Sequence, residues 1–275
     1  MSFNYCSHKC SYCFANLAKP GRFADVSATM SLLKNFRERD SLAATFLKEG
    51  YPILCSNRVD PFAASNYRQS VPVLELATRM DVPISIQTRG GMGVDDVLDF
   101  LPPSVWAISI TMLDDARRKV IEPGAPSIPS RLDLIDKLKA KGHRVTILLN
   151  PLVPEWCPSE DVERLLRSVR ERGAEGVWIQ TLHLNRDQVA NLSPRERAAI
   201  TEPIIKRAMG KRAKIDDTAF FEARSIATEL GLEIFSIGQP NASKYFQPFR
   251  DLYPVILPTL QDLINACHAS GMTRG

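Results

Sequence analysis

The sequence predicts an α/β fold in which a partial (β/α)6 barrel of the TIM type precedes a mainly helical C-terminal extension. Short apolar runs alternate with amphipathic helical patterns up to about residue 182. Alternating strands and helices usually pair their strands in parallel through right-handed crossovers. Counting a short strand ahead of Cys6, the pattern contains about six such units, too few for a closed eight-unit barrel. A chain of 275 residues is long enough for one such domain.

Five strands are predicted from near-continuous runs of aliphatic and β-branched residues. Such runs are typical of strands that are buried on both faces of a sheet. Several runs end in polar residues, as the first does at Ser56 and the fourth at Asn150. The runs cover residues 51–56, 82–88, 105–111, 144–150 and 176–182.

Amphipathic patterns predict helices between these strands. Ser159, followed by the acidic residues Glu160 and Asp161, is expected to cap the N-terminus of the last of them. Gly142 and Gly173 stand where two helices end and the chain turns towards the next strand. The helices are predicted over residues 31–48, 67–80, 95–101, 130–141 and 159–172.

The last part of the chain is predicted to be an extension that packs on the barrel. After residue 182 the pattern becomes mainly helical, over residues 194–209 and 216–230. A short apolar run at 232–237 and a helix over 257–268 follow. We therefore divide the chain into a barrel core, residues 1–185, and a helical extension, residues 186–275.

The composition is that of an ordinary globular protein, with 44% apolar residues, 24% charged residues and a net charge of +4. No apolar run approaches the ~20 residues that a membrane span requires, and the first residues lack the features of a signal peptide. We therefore expect a cytoplasmic protein with no membrane partner. The basic stretch at residues 206–214 is better explained as a solvated helix end than as a nucleic-acid contact.

Three of the six cysteines, Cys6, Cys10 and Cys13, fall within eight residues and have the spacing CxxxCxxC. In a reducing compartment, clustered cysteines are more often metal ligands than disulfide partners. Cubane iron–sulfur clusters normally take four thiolates, so three leave one iron open to a small molecule. Tyr12, directly before the last cysteine, is well placed to contact a bound nucleoside.

A zinc site with His8 as the fourth ligand is the alternative interpretation of this loop. Zinc sites generally take their ligands from two separated pairs, and the sequence has no second group of cysteine and histidine. His8 lies inside the loop, two residues from both Cys6 and Cys10, where four ligands around one ion would strain the backbone. The spacing therefore favours a [4Fe–4S] cluster.

The loop, with an aromatic residue before its third cysteine, resembles the signature of the radical S-adenosylmethionine (SAM) superfamily. The resemblance implies a barrel of the radical SAM type and a [4Fe–4S] cluster whose open iron binds SAM through its amino and carboxylate groups. It also implies reductive cleavage of SAM to methionine and a 5′-deoxyadenosyl radical, which abstracts hydrogen from a substrate. A one-electron donor such as flavodoxin or ferredoxin would supply the electron.

Further stretches are similar to the spore photoproduct lyase-like branch of this superfamily, and they occur in the same order over residues 4–182. Arg89 stands where that branch typically has lysine, and the Gly-Gly-Glu motif of the wider superfamily is missing after the second strand. The matching stretches are residues 4–8, 12–15, 55–62, 88–89, 109–111, 122–126, 131–132 and 150–154.

Candidate SAM-binding residues follow from the position of polar side chains. Functional side chains of α/β barrels lie at the C-terminal ends of the strands. Ser56, with Asn57 beside it, and Arg89 are candidates for the methionine carboxylate, because a guanidinium matches a carboxylate. Ser109 and Thr111 are candidates for the ribose hydroxyls. The candidates for the adenine are Asn150 and the backbone near Gln180.

Cys55 is a candidate catalytic residue. In spore photoproduct lyase a cysteine at the end of the second strand returns a hydrogen atom to the product radical, and Cys55 lies in the matching region. A thiol S–H bond is weak enough for that role, although free cysteines commonly act as small buried hydrophobic residues. Cys157 and Cys267 are expected to be structural.

The sequence thus predicts a radical SAM enzyme, of lyase or transferase type, that acts on a nucleic acid, a peptide or a metabolite. Two alternatives stay open at this stage. One is a DNA repair enzyme of the spore photoproduct lyase type. The other is a non-catalytic iron–sulfur or zinc scaffold that binds a partner.

Overall fold

A computed structural model of the protein describes residues 5–13, 26–56, 59–209 and 218–235. Within these residues the chain forms a six-stranded parallel sheet whose strands follow the order of the sequence. Helices lie between successive strands along the chain. This architecture confirms the α/β class and the parallel barrel-type sheet predicted from the alternating pattern. The strands are β1 (Ile53–Cys55), β2 (Ile84–Thr88), β3 (Val105–Ser109), β4 (Arg144–Leu152), β5 (Gly176–Thr181) and β6 (Glu233–Phe235).

The two edges of the described sheet are β1 and β6, each of which pairs with one neighbour there. Ile53 of β1 pairs with Ile84 of β2, and Glu233 of β6 pairs with Gly176 of β5. Among the described residues, the sixth strand thus comes from the region that we assigned to the extension. The strand expected ahead of Cys6 lies outside the described residues, as does the helix expected over 257–268.

Most predicted helices are present in the described residues, but two predicted helices are each divided in two, and the short helices at Asp115–Ile121 and Arg186–Ala190 were not predicted. The predicted helix over 31–48 is two helices, because the Ser41 side chain accepts a hydrogen bond from the Ala44 N–H and caps a new start. The region 194–209 is also divided, with Pro203 in the first turn of its second helix. The helices are α1 (Ser27–Asn35), α2 (Leu42–Lys48), α3 (Tyr67–Arg79), α4 (Val94–Phe100), α5 (Asp115–Ile121), α6 (Ile128–Ala140), α7 (Ser159–Glu171), α8 (Arg186–Ala190), α9 (Pro194–Ala199), α10 (Glu202–Ala208) and α11 (Thr218–Glu229).

The expected cap of α7 was wrong by one residue. Pro158 occupies the N-cap position in an extended conformation, and Ser159 is already the first helical residue. Without a side-chain cap, the start of α7 is favoured by Glu160 and Asp161, whose negative charges lie in the first turn.

The core lies between the sheet and its helices. Trp106 of β3 is fully buried and stacks on Phe62, with ring centroids 5.8 Å apart. Nearer the end of the described residues, α11 packs against α7 and β5, and its residues Phe220 and Ala223 are buried. None of the helices in the described part of the chain is long and apolar enough to cross a membrane.

Candidate active site

A cavity of about 340 Å³ opens where the C-terminal ends of the strands meet the cysteine loop. This is the edge at which α/β barrels carry their functional side chains. Most of the residues predicted from the sequence line this cavity together. They are Cys6, Cys10, Tyr12, Cys13, Ser56, Arg89, Ser109, Asn150 and Gln180.

Tight turns bring the three cysteines to one side of the cavity. The Lys9 N–H lies 3.4 Å from the Cys6 carbonyl, and the Cys13 N–H donates to the Cys10 carbonyl at 3.1 Å. Lys9 takes a positive φ of 51°, which sharpens the first turn. The loop therefore presents Cys6, Cys10 and Cys13 from consecutive turns rather than along one line.

The end of α5 and the residues that follow it form backbone hydrogen bonds with the cysteine loop. The Gly124 N–H donates to the His8 carbonyl at 2.9 Å, and the Ser11 N–H donates to the Ile121 carbonyl at 2.8 Å. A β-carbon on Gly124 would lie only 2.1 Å from the Ser7 carbonyl oxygen. Only glycine therefore allows the two segments to approach this closely.

The three thiols suit an iron–sulfur cluster in their donor chemistry. Cys6 and Cys10 are buried and Cys13 is half-buried, and none of them forms a disulfide. Burial, with the charge of Asp60, raises the pKa of the Cys6 thiol to about 11, and burial also raises the pKa of Cys10. Metal coordination overcomes such a shift, because a coordinated thiol loses its proton.

The thiols are not gathered around one point. Within the described residues, no three cysteine, histidine, aspartate or glutamate side chains are spaced to hold a single ion. A cubane differs from a single ion because its thiolates bind separate irons.

Asp60 bonds to the end of β2 and packs against His8 of the cysteine loop. Its carboxylate accepts hydrogen bonds from the Thr88 hydroxyl and the Arg89 N–H, both at 2.6 Å, and from the Phe62 N–H at 3.0 Å. The Nδ1 atom of His8 lies 3.5 Å from the same carboxylate, which is too long for a good hydrogen bond. Burial lowers the pKa of His8, so we treat the imidazole as neutral and the contact as packing.

A buried charged group lies behind Tyr12 and Arg89. The Glu122 carboxylate accepts from the Tyr12 hydroxyl, from Arg89 Nε at 3.3 Å, and from Arg131. Arg89 Nη2 also donates to the Tyr12 hydroxyl at 2.6 Å. Burial alone would raise the pKa of Glu122, but the positive charges of Arg131 and Arg89, with the hydrogen bonds from Tyr12 and Arg131, lower it to about 2. Glu122 is therefore a carboxylate at neutral pH.

Ser56 is the cavity residue with an unsatisfied polar group. Its side chain is buried, and its hydroxyl has no hydrogen-bond partner among the described residues. Buried hydroxyls are rarely left without a partner unless a ligand or water supplies one. A ligand or a water molecule in this cavity would satisfy the Ser56 hydroxyl.

Asn150 reaches the cavity through an irregularity of the sheet. The pairing of β4 with β5 shifts register between Leu149 and Leu152. Pro151 has no N–H to donate to the ladder, which favours such an irregularity. Asn150 and Gln180 thereby face the cavity from neighbouring strands.

Two predicted residues that the structure describes do not line the cavity. Thr111 lies beyond the end of β3 at Ser109, is fully buried, and donates to the Glu122 carboxylate at 3.2 Å. Cys55 is fully buried in the core, where burial raises the pKa of its thiol. Asn57 lies outside the described residues.

Sequence reasoning missed several residues of the site. Asp60 and Glu122 lie in stretches that were matched to the lyase-like branch, but neither was assigned a role. Gln87, one residue before the end of β2, also lines the cavity, as do the exposed residues Lys9 and His183. Gln87 could have been predicted from its polar side chain near the end of a strand. Lys9 and His183 lie in loops, and nothing in the sequence marks them as site residues.

Comparison with known proteins identifies the family. Residues 1–169, more than half of the chain, match the family model described as the radical SAM superfamily. The chain belongs to the radical SAM superfamily. Among the curated proteins similar to it, the uncharacterized protein ORF301 of Acidianus two-tailed virus is 27% identical over 241 residues, which are 82% of this chain and 76% of that protein. The uncharacterized protein Rv2578c of Mycobacterium tuberculosis is 27% identical over 194 residues, which are 65% of this chain and 56% of that protein.

Solved structures share the fold of this radical SAM protein. A variant of spore photoproduct lyase with bound SAM and a dinucleoside spore photoproduct matches with a TM-score of 0.55 and 14% identity, over 82% of this chain and 72% of the lyase. SuiB of Streptococcus suis bound to SAM matches with a TM-score of 0.52 and 14% identity, over 91% of this chain. The chain spans only 53% of SuiB and 56% of Rv2578c.

Proposed function

We propose that this radical SAM protein is an enzyme that holds a [4Fe–4S] cluster on Cys6, Cys10 and Cys13 and cleaves SAM reductively. The observation that carries the proposal is one cavity onto which the three thiols and several strand-end polar side chains converge. When bound, the cluster and SAM supply a 5′-deoxyadenosyl radical that abstracts hydrogen from the substrate. The residues of the chain supply binding, orientation and exclusion of water.

The described residues fit this pair of cofactors. Thiolates are the usual ligands of iron–sulfur clusters, and three of them leave one iron for SAM. Ser56 and Arg89 both line the cavity, and a carboxylate would satisfy the unpartnered Ser56 hydroxyl and pair with the Arg89 guanidinium. The hydrogen bonds of Arg89 to described side chains use Nε and Nη2, which leaves Nη1 for a ligand.

Each candidate residue has a proposed task. Ser56 and Arg89 bind the methionine carboxylate, with Asn57 beside Ser56. Ser109 bonds a ribose hydroxyl, and Thr111 supports the site indirectly through its hydrogen bond to Glu122. Tyr12 contacts the nucleoside. The residues proposed for the adenine are Asn150 and Gln180.

The substrate is proposed to enter past Lys9 and His183, which are exposed and line the cavity. Spore photoproduct lyase has been solved with a dinucleoside spore photoproduct, and SuiB with a precursor peptide. Nucleic acids and peptides are therefore the first substrate classes to test, with metabolites next. A one-electron donor such as flavodoxin or ferredoxin is proposed to reduce the cluster.

Two cysteine variants test the proposed activity. Anaerobically purified protein should contain about four iron atoms per chain and should form 5′-deoxyadenosine from SAM when it is reduced with dithionite. Cys10→Ala should lose this product. Cys157→Ala is the matched control and should retain it, because Cys157 is equally buried but does not line the cavity. Zinc in place of iron, with no SAM turnover, would support the scaffold alternative.

Identification of the product tests the reaction class. Cell extract incubated with the reduced enzyme and SAM should contain a species whose mass shift depends on Cys10. A mass shift found on a nucleic acid would support a nucleic-acid substrate, and a mass shift found on a peptide would support a peptide substrate.

A further inference from the structure

Glu122 stands out as a buried ionised group to which the proposed function gives no task of its own. It is fully buried and does not line the cavity, yet it touches two residues that do, Tyr12 and Arg89. A buried charge is costly unless several partners satisfy it. The arrangement of those partners shows what the carboxylate does.

One oxygen of the carboxylate is anchored to the frame of the barrel. Glu122 Oε2 accepts from Arg131, which is itself fully buried. Arg131 also donates to the backbone carbonyl of Ser109 at 3.0 Å and to that of Pro126 at 3.1 Å. Two backbone carbonyls thus hold Arg131, and Arg131 holds the carboxylate.

The other oxygen faces the cavity wall and accepts from three donors. These are the Tyr12 hydroxyl, Arg89 Nε at 3.3 Å and the Thr111 hydroxyl at 3.2 Å. The Tyr12 hydroxyl in turn accepts from Arg89 Nη2 at 2.6 Å, and the guanidinium lies 5.7 Å from the centre of the Tyr12 ring. Arg89 is therefore held through Nε and Nη2 on one edge of its guanidinium and by the Tyr12 ring, and Nη1 takes no part in these contacts.

We propose that Glu122 is a positioning residue of the SAM site, whose anchored carboxylate holds Arg89 and Tyr12 in the orientation that binds SAM. The inference rests on the proposed function, because it takes SAM as the ligand of Arg89. All four partners of Glu122 donate hydrogen bonds, so only an ionised acid of this length satisfies them together. An amide would set an N–H₂ group against at least one donor, and a shorter acid would not reach both sides.

Binding of SAM to Glu122→Gln and Glu122→Asp tests the inference without relying on turnover. The readouts are iron per chain, the dissociation constant of SAM from reconstituted protein by equilibrium dialysis, and the electron paramagnetic resonance (EPR) spectrum of the reduced cluster with and without SAM. We expect both variants to keep their iron, to bind SAM about tenfold more weakly, and to show a smaller SAM-dependent change of the spectrum.

The two variants separate position from charge. If Glu122 acted only by neutralising its arginines, Glu122→Asp would bind SAM like the wild type, and Glu122→Gln would bind this carboxylate ligand more tightly. Either result, or wild-type affinity in both variants, overturns the inference.

Glu175→Gln is the matched control. Glu175 also pairs with two cations, Lys139 at 2.8 Å and Arg144, but it precedes β5 at the opposite end of the sheet from the cavity. We expect a loss of stability and unchanged SAM affinity. If this variant weakens SAM binding equally, the effect of Glu122 is general destabilisation and the inference fails.

Tyr12→Phe decides the matter if neither Glu122 variant folds. It removes only the hydroxyl that joins Glu122 to Arg89 Nη2. Weaker SAM binding with full iron content supports the inference, and wild-type affinity overturns it. A wild-type protein that binds no SAM at all would instead count against the proposed function, so the two failures are distinct.

Discussion

Gly124 and Ser7 lie so close together that a β-carbon on Gly124 would stand 2.1 Å from the Ser7 carbonyl oxygen. The same atom would lie 3.0 Å from the α-carbon of His8. Both neighbours belong to the backbone, so rotating a side chain would not relieve the contact. The loop that carries the cysteines is therefore shaped by a residue far along the sequence.

Gly124→Ala should displace the cysteine loop. We expect the variant to lose most of its iron and to be destabilised by about 1–3 kcal/mol, because the added methyl group overpacks a backbone contact. Iron and sulfide analysis and thermal unfolding measure the two effects. Gly231→Ala is the control, since nothing lies within 4 Å of its added carbon. Its positive φ of 68° costs stability, but its iron content should be normal.

Ser56→Ala should separate ligand binding from folding. The Ser56 hydroxyl has no partner among the described residues, so its removal should leave the free energy of unfolding nearly unchanged. We expect SAM affinity to fall about fivefold, the loss typical of one hydrogen bond. Isothermal titration and urea unfolding measure both quantities.

Ser104→Ala is the counterpart of that variant. The Ser104 hydroxyl donates to the Pro102 carbonyl at 2.7 Å, just before β3 and away from the cavity. We expect it to lose about 1 kcal/mol of stability and to keep its affinity for SAM. Unchanged affinity in Ser56→Ala would contradict the assignment of this hydroxyl to the ligand.

Cys55→Ala should leave SAM cleavage intact, because the thiol is buried in the core and does not line the cavity. We expect a loss of about 1 kcal/mol of stability from the small void. The yield of 5′-deoxyadenosine under dithionite measures the cleavage. The proposed hydrogen-donor role requires a changed product pattern with the true substrate, and an unchanged pattern assigns Cys55 to the core.

His143 should make stability depend on pH. It is fully buried, its Nδ1 accepts from the Ser104 N–H at 3.0 Å, and its ring meets Trp106 edge-on. Burial, with the nearby charge of Lys141, lowers its pKa from 6.5 to about 4. The folded state thus favours the neutral ring, so its contribution to stability is complete above about pH 6.5 and decreases as the pH falls towards 4.

Urea unfolding at pH 7.5 and 5.5 measures this dependence. We expect the wild type to lose on the order of 1 kcal/mol more than His143→Asn over this interval. Asparagine keeps an acceptor for the Ser104 N–H but does not titrate, so effects common to both proteins cancel. Equal losses in the two proteins would show that His143 is not the titrating group.

Much of the fold was predictable because most strands are marked by a local run of apolar residues in the sequence. The strands β2 to β5 follow apolar runs whose burial on both faces leaves one interpretation. The ends of helices were harder to predict, since Ser41 and Pro203 restart helices inside patterns that look continuous. The end of β3 was hard to predict for a related reason, because the apolar run continues to Thr111 although the strand ends at Ser109.

The cysteine loop was predictable from spacing, but its support was not. Cys6, Cys10 and Cys13 are close in sequence, so a shared site for them can be predicted without the fold. Glu122 contacts Tyr12 and Arg89, which are far from it in the sequence, only in the folded protein. Nothing in the residues around Glu122 indicates that its carboxylate is buried. Contacts of this kind depend on tertiary packing rather than on periodicity.

The EPR spectrum of the reduced protein, recorded with and without SAM, tests the central claim most directly. We expect dithionite to produce the signal of a reduced [4Fe–4S] cluster, and added SAM to change that signal by binding the open iron. Cys10→Ala should show neither. A protein with no cubane signal, or with one that SAM leaves unchanged, would contradict the account.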